Sequence, residues 1–436
     1  MTAFSYFLDN FKLFFTTGGV AIDYGAGGTA PVMIRRQADD AFYASGADFD
    51  PRRVSWREWR GESIPFLLGD DGDGEIVSAE DGRVEIRVDI VFSAFYFLSG
   101  RGELARGRRD SLGRVPYEGS AIQELGIVQL PVVSYYFDIL ATALERAGVR
   151  RRGCAWGDHP FAVTLTHDID TCRRGWIEGS FDALKRGRPL AIPRLVSRRL
   201  AGRDVWFNFD AIMDADEGAG ARSSFYFLPR RGSVGGKRNA DYNIDNARVR
   251  EAMAGIERRG HEVGVHGSFG THADADALAR EARSVCREGV AGGRFHFLMF
   301  DPVESVGVLS RAGLRYDTTL GFADRPGFRR GTCLPFFLFD FKTGATSPVL
   351  EIPLAVMDAT LRGYARMGTG EAFDAIAALV ERVRSAGGVF TVLWHNTFFS
   401  SYKYAGWREV YDKLLASAGG ALFLNGREIH ERLVGK

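Results

Sequence analysis

The chain has 436 residues, which predicts about two or three domains, and its hydrophobic and charged fractions of 45% and 25% are those of a globular protein. These proportions exclude a disordered chain, a collagen-like repeat and a coiled-coil rod. The 56 Lys and Arg residues nearly balance 55 Asp and Glu, a formal net charge of +1. We therefore expect no nucleic-acid partner, since proteins that bind phosphate backbones usually carry a basic excess.

The cysteine content and the length of the apolar segments indicate the cellular compartment of the protein. The four cysteines are widely spaced and form no CxxC pair, so neither a disulfide framework nor a thiolate zinc site is predicted. The longest mostly apolar stretch, residues 90–98, is well short of the roughly 20 residues that a membrane helix needs. The N-terminus lacks the basic region and cleavage site of a secretory signal. We expect a cytoplasmic protein without a transmembrane segment.

The N-terminal region has mixed patterns. Residues 4–15 predict an amphipathic helix that docks on its own domain, and residues 131–147 carry a helical stripe. The GDDGDG segment at 69–74 predicts a solvated turn, because its spacing is too short for a calcium loop and the bidentate Glu is missing. The arginine run 150–152 breaks the helical pattern. These features predict a smaller α/β domain over residues 1–152.

Beyond this boundary, residues 153–436 show a different pattern. Short apolar runs alternate with helical windows, which is typical of βαβ units and a parallel sheet. The runs are numerous enough to close a barrel. The predicted strands cover residues 161–166, 223–228, 261–265, 294–300, 349–354 and 389–394, and the predicted helices cover 205–217, 246–259, 274–288, 302–312 and 371–386.

Titratable side chains follow several of these strands. In a parallel α/β barrel, functional residues gather at the C-terminal ends of the strands. Three predicted strands are followed there by His167-Asp168-Ile169-Asp170, by His266 and by His395. Nitrogen and oxygen ligands, a free carboxylate and a proton donor are what a metal-dependent hydrolase needs. His296, in contrast, falls near the start of the predicted strand 294–300.

Asp168 and Asp170 are two residues apart. On extended backbone both would face one side, about 6.5–7 Å apart. A divalent cation bound by one carboxylate would leave the other free as a base. The alternative is an Asp pair that caps the next helix. The histidines at other strand ends favour the metal site.

Four segments, LTHDID, HEVGVHGSFGTH, GGRF and TVLWHN, resemble in order the motifs of polysaccharide deacetylases of carbohydrate esterase family 4. The resemblance extends from about residue 161 to the C-terminus. It implies a distorted (β/α)7 barrel that removes N-acetyl, or sometimes O-acetyl, groups from sugars with a divalent metal, here expected to be Zn2+. Residues 93–120 look like an uncharacterised N-terminal domain that precedes this barrel in some bacterial proteins, and residues 320–340 resemble a segment of the same proteins.

The resemblance assigns roles to individual residues. Asp168 matches the catalytic base, Arg294 the arginine that pairs with the base, and His395 the general acid. The metal ligands that it implies are Asp170, His266 and His272. Asp324, Arg325 and Trp394 are expected to bind substrate, although an internal salt-bridge cluster is an equal alternative for the loop that holds Asp324, Arg325, Phe328 and Arg329.

His272 departs from the usual motif spacing. The family pattern separates its two histidines by three residues, whereas five residues lie between His266 and His272. If His272 does not reach the metal, His167 or His296 would replace it, or the site would be weak or inactive.

The expected function is that of a metal-dependent hydrolase that removes N-acetyl groups from a saccharide or glycan precursor. The expected partner is therefore a carbohydrate substrate. Two alternatives stay open at this point. One is an amidohydrolase of small cyclic amides, which a closed, narrow pocket would favour. The other is a catalytically inert, carbohydrate-binding barrel.

Overall fold

The computed structural model describes residues 2–69, 74–201, 204–400 and 403–435. The predicted GDDGDG turn has its four central residues outside these ranges. Within them, no helix is both long and apolar enough to cross a membrane.

The described residues form helices and strands throughout the chain. The α-helices are α1 (Ala3–Phe11), α2 (Asp40–Ser45), α3 (Ile90–Ser99), α4 (Arg101–Arg106), α5 (Ala121–Glu124), α6 (Val132–Arg146), α7 (Gly175–Lys185), α8 (Ile192–Leu200), α9 (Phe209–Gly218), α10 (Ala247–Arg258), α11 (Ala275–Val285), α12 (Ser305–Arg311), α13 (Thr369–Ala386), α14 (Trp407–Ser417) and α15 (Gly426–Val434). The strands are β1 (Ile22–Tyr24), β2 (Val32–Ile34), β3 (Ser55–Trp59), β4 (Glu62–Phe66), β5 (Val77–Glu80), β6 (Arg83–Ile86), β7 (Ala162–Ile169), β8 (Ser224–Phe227), β9 (Ser233–Val234), β10 (Lys237–Arg238), β11 (Glu262–Gly267), β12 (Gly292–Phe295), β13 (Tyr316–Asp317), β14 (Phe336–Asp340), β15 (Ala345–Glu351), β16 (Leu354–Met357), β17 (Val389–Leu393) and β18 (Leu422–Phe423).

The N-terminal region combines a small mixed sheet, in the order β1-β2-β6-β5, with the β3-β4 hairpin and helices α1, α3 and α6. Helix α1 buries Tyr6, Phe7 and Phe11, whose rings contact Phe95 of α3 and Phe137 of α6. The first helix therefore docks on its own region, as its apolar face predicts.

A curved, largely parallel sheet occupies the rest of the chain, in the order β14-β15-β13-β12-β11-β8-β7-β17-β16, with β18 also paired to β7. Only the β14–β15 pair in this order is antiparallel among the described residues. Parallel neighbours require crossover connections, which the intervening helices supply. The α/β class and a sheet consistent with a TIM-like barrel agree with expectation. A barrel of seven βα units and a domain boundary near residue 152 stay predictions.

The predicted strands 294–300 and 349–354 differ from the structure in ways that change the position of site residues. Strand β12 begins at Gly292 and ends at Phe295, instead of spanning 294–300. A Cβ on Gly293 would lie 1.8 Å from the Val265 carbonyl oxygen, so only glycine allows this close approach of β11 and β12. The strand stops because Phe297 and Leu298 adopt left-handed backbone angles, with φ of 60° and 56°.

The predicted strand 349–354 is in fact parts of two strands. β15 ends at Glu351 and β16 begins at Leu354, with Pro353 between them. Proline lacks the N–H that a ladder hydrogen bond needs, so pairing is interrupted there. As a result, β16 ends three residues beyond the predicted limit, and Asp358 follows it directly.

Candidate metal and catalytic site

The site forms where parallel strands end. Strand β7 continues to Ile169, so Asp168 and Asp170 share one side of the strand and His167 faces the other. His266 of β11 is paired in register with Arg294 of β12. The parallel arrangement therefore brings side chains from distant parts of the sequence to one edge of the sheet.

His266 and His296 face each other across this edge. Nε2 of His266 lies 3.0 Å from Nδ1 of His296. The opposite nitrogen of each ring points at a backbone carbonyl: Nδ1 of His266 is 2.9 Å from the Arg294 oxygen, and Nε2 of His296 is 2.9 Å from the Arg238 oxygen. A carbonyl oxygen only accepts, so these outer nitrogens carry the protons. When both rings are neutral, the two inner nitrogens, Nε2 of His266 and Nδ1 of His296, therefore have no proton and present lone pairs to each other.

Asp170 adds a carboxylate oxygen to this pair. Its Oδ1 lies 3.2 Å from Nε2 of His266 and 3.5 Å from Nδ1 of His296. The same oxygen is buried and has no hydrogen-bond partner among the residues that the structure covers. Three electron-rich atoms converge without a hydrogen atom between them when both rings are neutral. Such a cluster is stable only with added positive charge.

These three residues fit a divalent cation. All three ligand atoms lie within 4.8 Å of one another. Nitrogen and oxygen ligands of a tetrahedral zinc site, with bonds of about 2.0–2.1 Å, are about 3.3–3.4 Å apart, close to the distances seen here. The carbonyl contacts behind both histidines are the support that metal-binding imidazoles usually have.

The pKa shifts of Asp170 and His266 also indicate that this site favours positive charge. Burial opposes ionisation of Asp170, but the neighbouring imidazoles, His296 first and then His266, lower its pKa. Burial opposes protonation of His266, yet the carboxylates of Asp168 and Asp170 outweigh it and raise its pKa. The pKa of His296 is lowered, because burial there outweighs the attraction of Asp170. His296 therefore favours the neutral form that a ligand requires.

Asp168 is held by Arg294 beside this group. The Arg294 guanidinium donates from one nitrogen to Oδ1 of Asp168 and to the Thr166 hydroxyl, both at 2.9 Å, and from Nε to the Thr318 carbonyl at 2.9 Å. Both charged side chains are almost fully buried. The other carboxylate oxygen, Oδ2, lies 3.6 Å from Nε2 of His266. Arg294 thus orients a carboxylate whose second oxygen faces Asp170, His266 and His296, which are called the metal-ligand group below.

His395 borders the group from the end of β17. Its Nδ1 donates to Oδ1 of Asp358 at 2.7 Å, and its backbone N–H donates to Oδ2 at 2.6 Å. Burial opposes protonation, but Asp358, with smaller contributions from Asp170 and Asp168, raises the pKa of His395 to about 10. Nε2 lies 3.8 Å from Oδ2 of Asp170. His395 therefore carries a proton at neutral pH and directs it toward the site.

Solvent reaches the site from one side. The side chains of His395 and Asp170 are 17% and 31% exposed, whereas Asp168, His266 and Arg294 are almost completely buried. A substrate would therefore approach past His395 and Asp170.

The structure places His272 outside the group formed by Asp170, His266 and His296, unlike the expected ligand set. Its ring centroid is 6.3 Å from that of Phe295, and its carbonyl accepts from the Ser305 hydroxyl. Burial lowers the pKa of this imidazole. His296 occupies the place that was expected for His272, because it follows the end of β12 directly.

His167 also lies outside this group. Its Nδ1 lies 2.7 Å from the Trp394 carbonyl, and its Nε2 lies 3.0 Å from Oδ2 of Asp216. Asp216 also accepts from the hydroxyls of Ser223 and Tyr411. This fully satisfied network behind β7 stabilises the sheet on the side opposite to the site.

The expected substrate-binding residues have different surroundings. Trp394 is fully buried, and its ring packs against Phe398, Trp407 and Tyr411, so it belongs to the core and offers no surface to a substrate. Asp324 accepts from the backbone N–H of Tyr117 at 3.1 Å, and the Arg325 guanidinium lies 5.0 Å from the Tyr117 ring.

Asp324 and Arg325 therefore join this loop to the N-terminal region. Arg329 of the same loop forms a buried ion pair with Glu103 at 2.8 Å, as the salt-bridge alternative expects, although the described residues show no ion pair for Asp324 or Arg325 themselves. Their expected contact with substrate stays a prediction.

Comparison with known proteins gives three results. Residues 4–148 match a family of unknown function, DUF7033. No curated protein is significantly similar to the chain. Several solved structures are similar to it at low sequence identity.

For three of these structures, the similar region includes most of the solved chain. A candidate polysaccharide deacetylase from Mycobacterium smegmatis is 17% identical, with a TM-score of 0.43, over 63% of this chain and 91% of its own. A candidate polysaccharide deacetylase from Pseudomonas aeruginosa PAO1 is 12% identical, with a TM-score of 0.41, over the same shares of both chains. PuuE allantoinase is 11% identical, with a TM-score of 0.43, over 64% and 93%. At these identities the likeness concerns the fold alone.

Proposed function

We propose that the protein is a metal-dependent hydrolase that removes an N-acetyl group from a saccharide. The observation that carries this proposal is the convergence of Asp170, His266 and His296, with Asp168 and His395 beside them. The arrangement combines a cation site, a buried carboxylate and a protonated imidazole, which are the parts that amide hydrolysis requires.

Asp170, His266 and His296 would hold the cation, and Zn2+ is the ion we propose, since imidazole and carboxylate ligands in a small group suit it. A divalent cation in this place supplies positive charge that polarises a carbonyl group and makes nearby water more acidic. The raised pKa of His266 and the lowered pKa of Asp170 support a site that attracts such charge.

Asp168 is the proposed general base. Its Oδ2 is free of the Arg294 contact and faces the metal-ligand group, so it can take a proton from an attacking water. Arg294 fixes the orientation of this carboxylate, and two further buried contacts, to the Thr318 carbonyl and the Thr166 hydroxyl, hold the guanidinium in place. A fixed base avoids the cost of reorientation during the reaction.

His395 is the proposed general acid. The amine that leaves an amide is strongly basic, so it must receive a proton as the C–N bond breaks. Nε2 of His395 carries that proton, because Asp358 accepts from Nδ1 and stabilises the imidazolium. The Asp358 side chain is fully buried, which fixes the orientation of the ring. Asp358 is therefore the proposed positioning residue for the acid.

The saccharide substrate is the part that rests on resemblance. The four segments that carry Asp168, His266, Arg294 and His395 are similar to polysaccharide deacetylase motifs, and two solved structures of similar fold bear that description. A small cyclic amide would be hydrolysed by the same chemical groups. The substrate must therefore be distinguished by experiment.

The test compares two probes, N-acetylated chito-oligosaccharides and hydantoin, on Zn2+-loaded protein and on its Asp168→Asn variant. We expect acetate release from N-acetylated chito-oligosaccharides by the natural sequence only, with loss of release after chelation. Hydrolysis of hydantoin without acetate release would replace the saccharide by a cyclic amide. Sugar binding that is insensitive to chelator, without turnover of either probe, would contradict the enzymatic proposal and favour an inert barrel.

A further inference from the structure

The segment directly behind the β7 tip is strongly basic. Residues 173–201, called the arginine hairpin here, contain eight Lys and Arg residues and two acidic residues, a formal charge of +6 in a chain whose total is +1. The hairpin consists of α7, a short turn at Pro189–Ala191 and α8. The rest of the chain is therefore slightly acidic, so the basic charge is concentrated in this one element.

Helix α8 has little support from the body of the protein. It packs on α7, and none of its residues is buried. Its least exposed positions, Ile192, Leu195, Val196 and Arg199, have helical spacing and form the side that faces α7. The other side of the helix, with Arg194 and Arg198, is open to solvent.

The hairpin also exposes large apolar side chains. Phe181, Leu184, Leu190 and Leu200 are 63%, 56%, 91% and 82% exposed. They are four of the seven large apolar side chains that are exposed in the described part of the chain. Single exposed leucines are ordinary, but a cluster of them among arginines marks an interaction surface.

We propose that the arginine hairpin binds the surface of an anionic phospholipid bilayer. Exposed leucine and phenylalanine side chains would enter the boundary between headgroups and acyl chains, while the arginines would contact lipid phosphates. Guanidinium groups form strong paired hydrogen bonds with phosphate oxygens. A polyanion such as RNA would also attract the arginines, but it gives no reason to expose Leu190 and Leu200 so completely.

The hairpin lies beside the candidate site. Glu178 of α7 forms an ion pair with Lys403 at 3.2 Å, and the Lys403 ammonium lies 5.6 Å from the Tyr404 ring centroid. Tyr404 stacks at 3.9 Å on Phe398, which contacts the His395 ring. A bound bilayer would therefore hold headgroup-level substrates near His395. This last consequence rests on the proposed function, whereas bilayer binding does not.

Sedimentation with vesicles tests the proposal without any substrate. The full chain is mixed with vesicles of phosphatidylcholine alone, or with added phosphatidylglycerol. We expect binding only to the vesicles that contain phosphatidylglycerol. The triple variant Arg188→Gln, Arg194→Gln and Arg198→Gln should bind about 100-fold more weakly, at about fivefold for each arginine near the surface. The double variant Leu190→Ser and Leu200→Ser should bind at least about tenfold more weakly.

Matched controls lie elsewhere on the surface. Arg283→Gln with Arg287→Gln removes two exposed arginines around the end of α11, and Val434→Ser removes an exposed apolar side chain of α15. Neither should change vesicle binding. Circular dichroism should show unchanged folding for the hairpin variants, because every substituted side chain is exposed.

Two results would overturn the proposal. One is a natural sequence that stays in the supernatant with phosphatidylglycerol vesicles. The other is a leucine variant that binds as well as the natural sequence while an RNA oligonucleotide displaces both, since this would assign the arginines to a polyanion. The vesicle experiment does not depend on hydrolase activity, so a failed hydrolase assay would change neither of these two conclusions.

Discussion

Nε2 of His266 and Nδ1 of His296 lie 3.0 Å apart, and both rings direct their other nitrogen at a backbone carbonyl. This contact is unfavourable between neutral rings, because each inner nitrogen presents a lone pair. Asp170 adds a third electron-rich atom. The strand ends thus hold a site whose most direct explanation is a bound cation.

The first prediction separates His296 from His272 as metal ligands. His296→Ala should weaken Zn2+ binding by more than about 100-fold, since even residues that only support a ligand contribute 10–100-fold. His272→Ala should bind Zn2+ as the natural sequence does, because its ring lies beside Phe295, outside the ligand group. Competition with a chromogenic chelator measures both affinities. Equal loss in both variants would return His272 to the ligand set.

The second prediction concerns Asp168. Asp168→Asn should abolish turnover and keep stoichiometric Zn2+, because the proposed base is not among the three ligands. Metal analysis and acetate release on the same preparation separate the two effects. Loss of metal together with activity would instead make Asp168 a ligand.

The third prediction concerns the proton on His395. His395→Ala should reduce the rate by about 10²–10⁴-fold without loss of metal, as expected for a general acid. The carboxylate of Asp358 raises the pKa of His395 to about 10, against the opposing effect of burial. The acid is therefore protonated below this value, and activity should fall only as the pH rises through it.

Asp358→Asn tests this pH dependence. The amide oxygen can still accept from Nδ1, but the negative charge is gone, so the pKa of His395 should fall. The alkaline limb of the rate profile should move to lower pH, with a smaller change at pH 6 than at pH 9. An unshifted limb would show that Asp358 does not control the proton on His395.

The fourth prediction concerns the contact between the N-terminal region and the sheet. Glu103 of α4 accepts from Arg329 at 2.8 Å and lies 3.1 Å from Arg330, and both guanidinium groups are almost fully buried. Glu103→Gln should lower the free energy of unfolding by about 3–5 kcal/mol, because it leaves two buried cations without a counter-charge. Glu118→Gln, at an exposed ion pair with Arg108, should have little effect.

The same contact has a defined pH dependence. Burial favours the neutral acid, but Arg329 and then Arg330 lower the pKa of Glu103 below its usual value. The stabilisation should therefore be fully present above the ordinary glutamate pKa and be lost as the pH falls through the lowered folded-state value. Urea unfolding at several acidic pH values should show the natural sequence and Glu103→Gln converging. Parallel curves would contradict this account.

Much of the site follows from the order of strands and polar residues. Asp168, Asp170, His266 and His395 were all expected at strand ends, and the structure brings them together there. The physical reason is that the strands of a parallel sheet all end at the same edge, so the residues that follow different strands lie close together.

Two differences from the sequence prediction trace to strand limits: His296 is predicted only as a replacement for His272, and Asp358 is not predicted at all. A strand over 294–300 would put His296 near its start, but the two glycines before Arg294 are already in β12, and His296 follows that strand's end. Glycine has little strand propensity, so composition hides such a strand. Asp358 was missed because one apolar run contains Pro353 and splits into β15 and β16. The side-chain contacts across the sheet that decide these limits are not visible in the sequence.

The central claim is that Asp170, His266 and His296 hold one cation. Anomalous diffraction at the zinc edge, from crystals of Zn2+-loaded protein, tests it most directly. We predict one peak within about 2.0–2.2 Å of a carboxylate oxygen of Asp170, Nε2 of His266 and Nδ1 of His296. A peak bound by His272 in place of His296, or no peak at this edge of the sheet, would contradict the account.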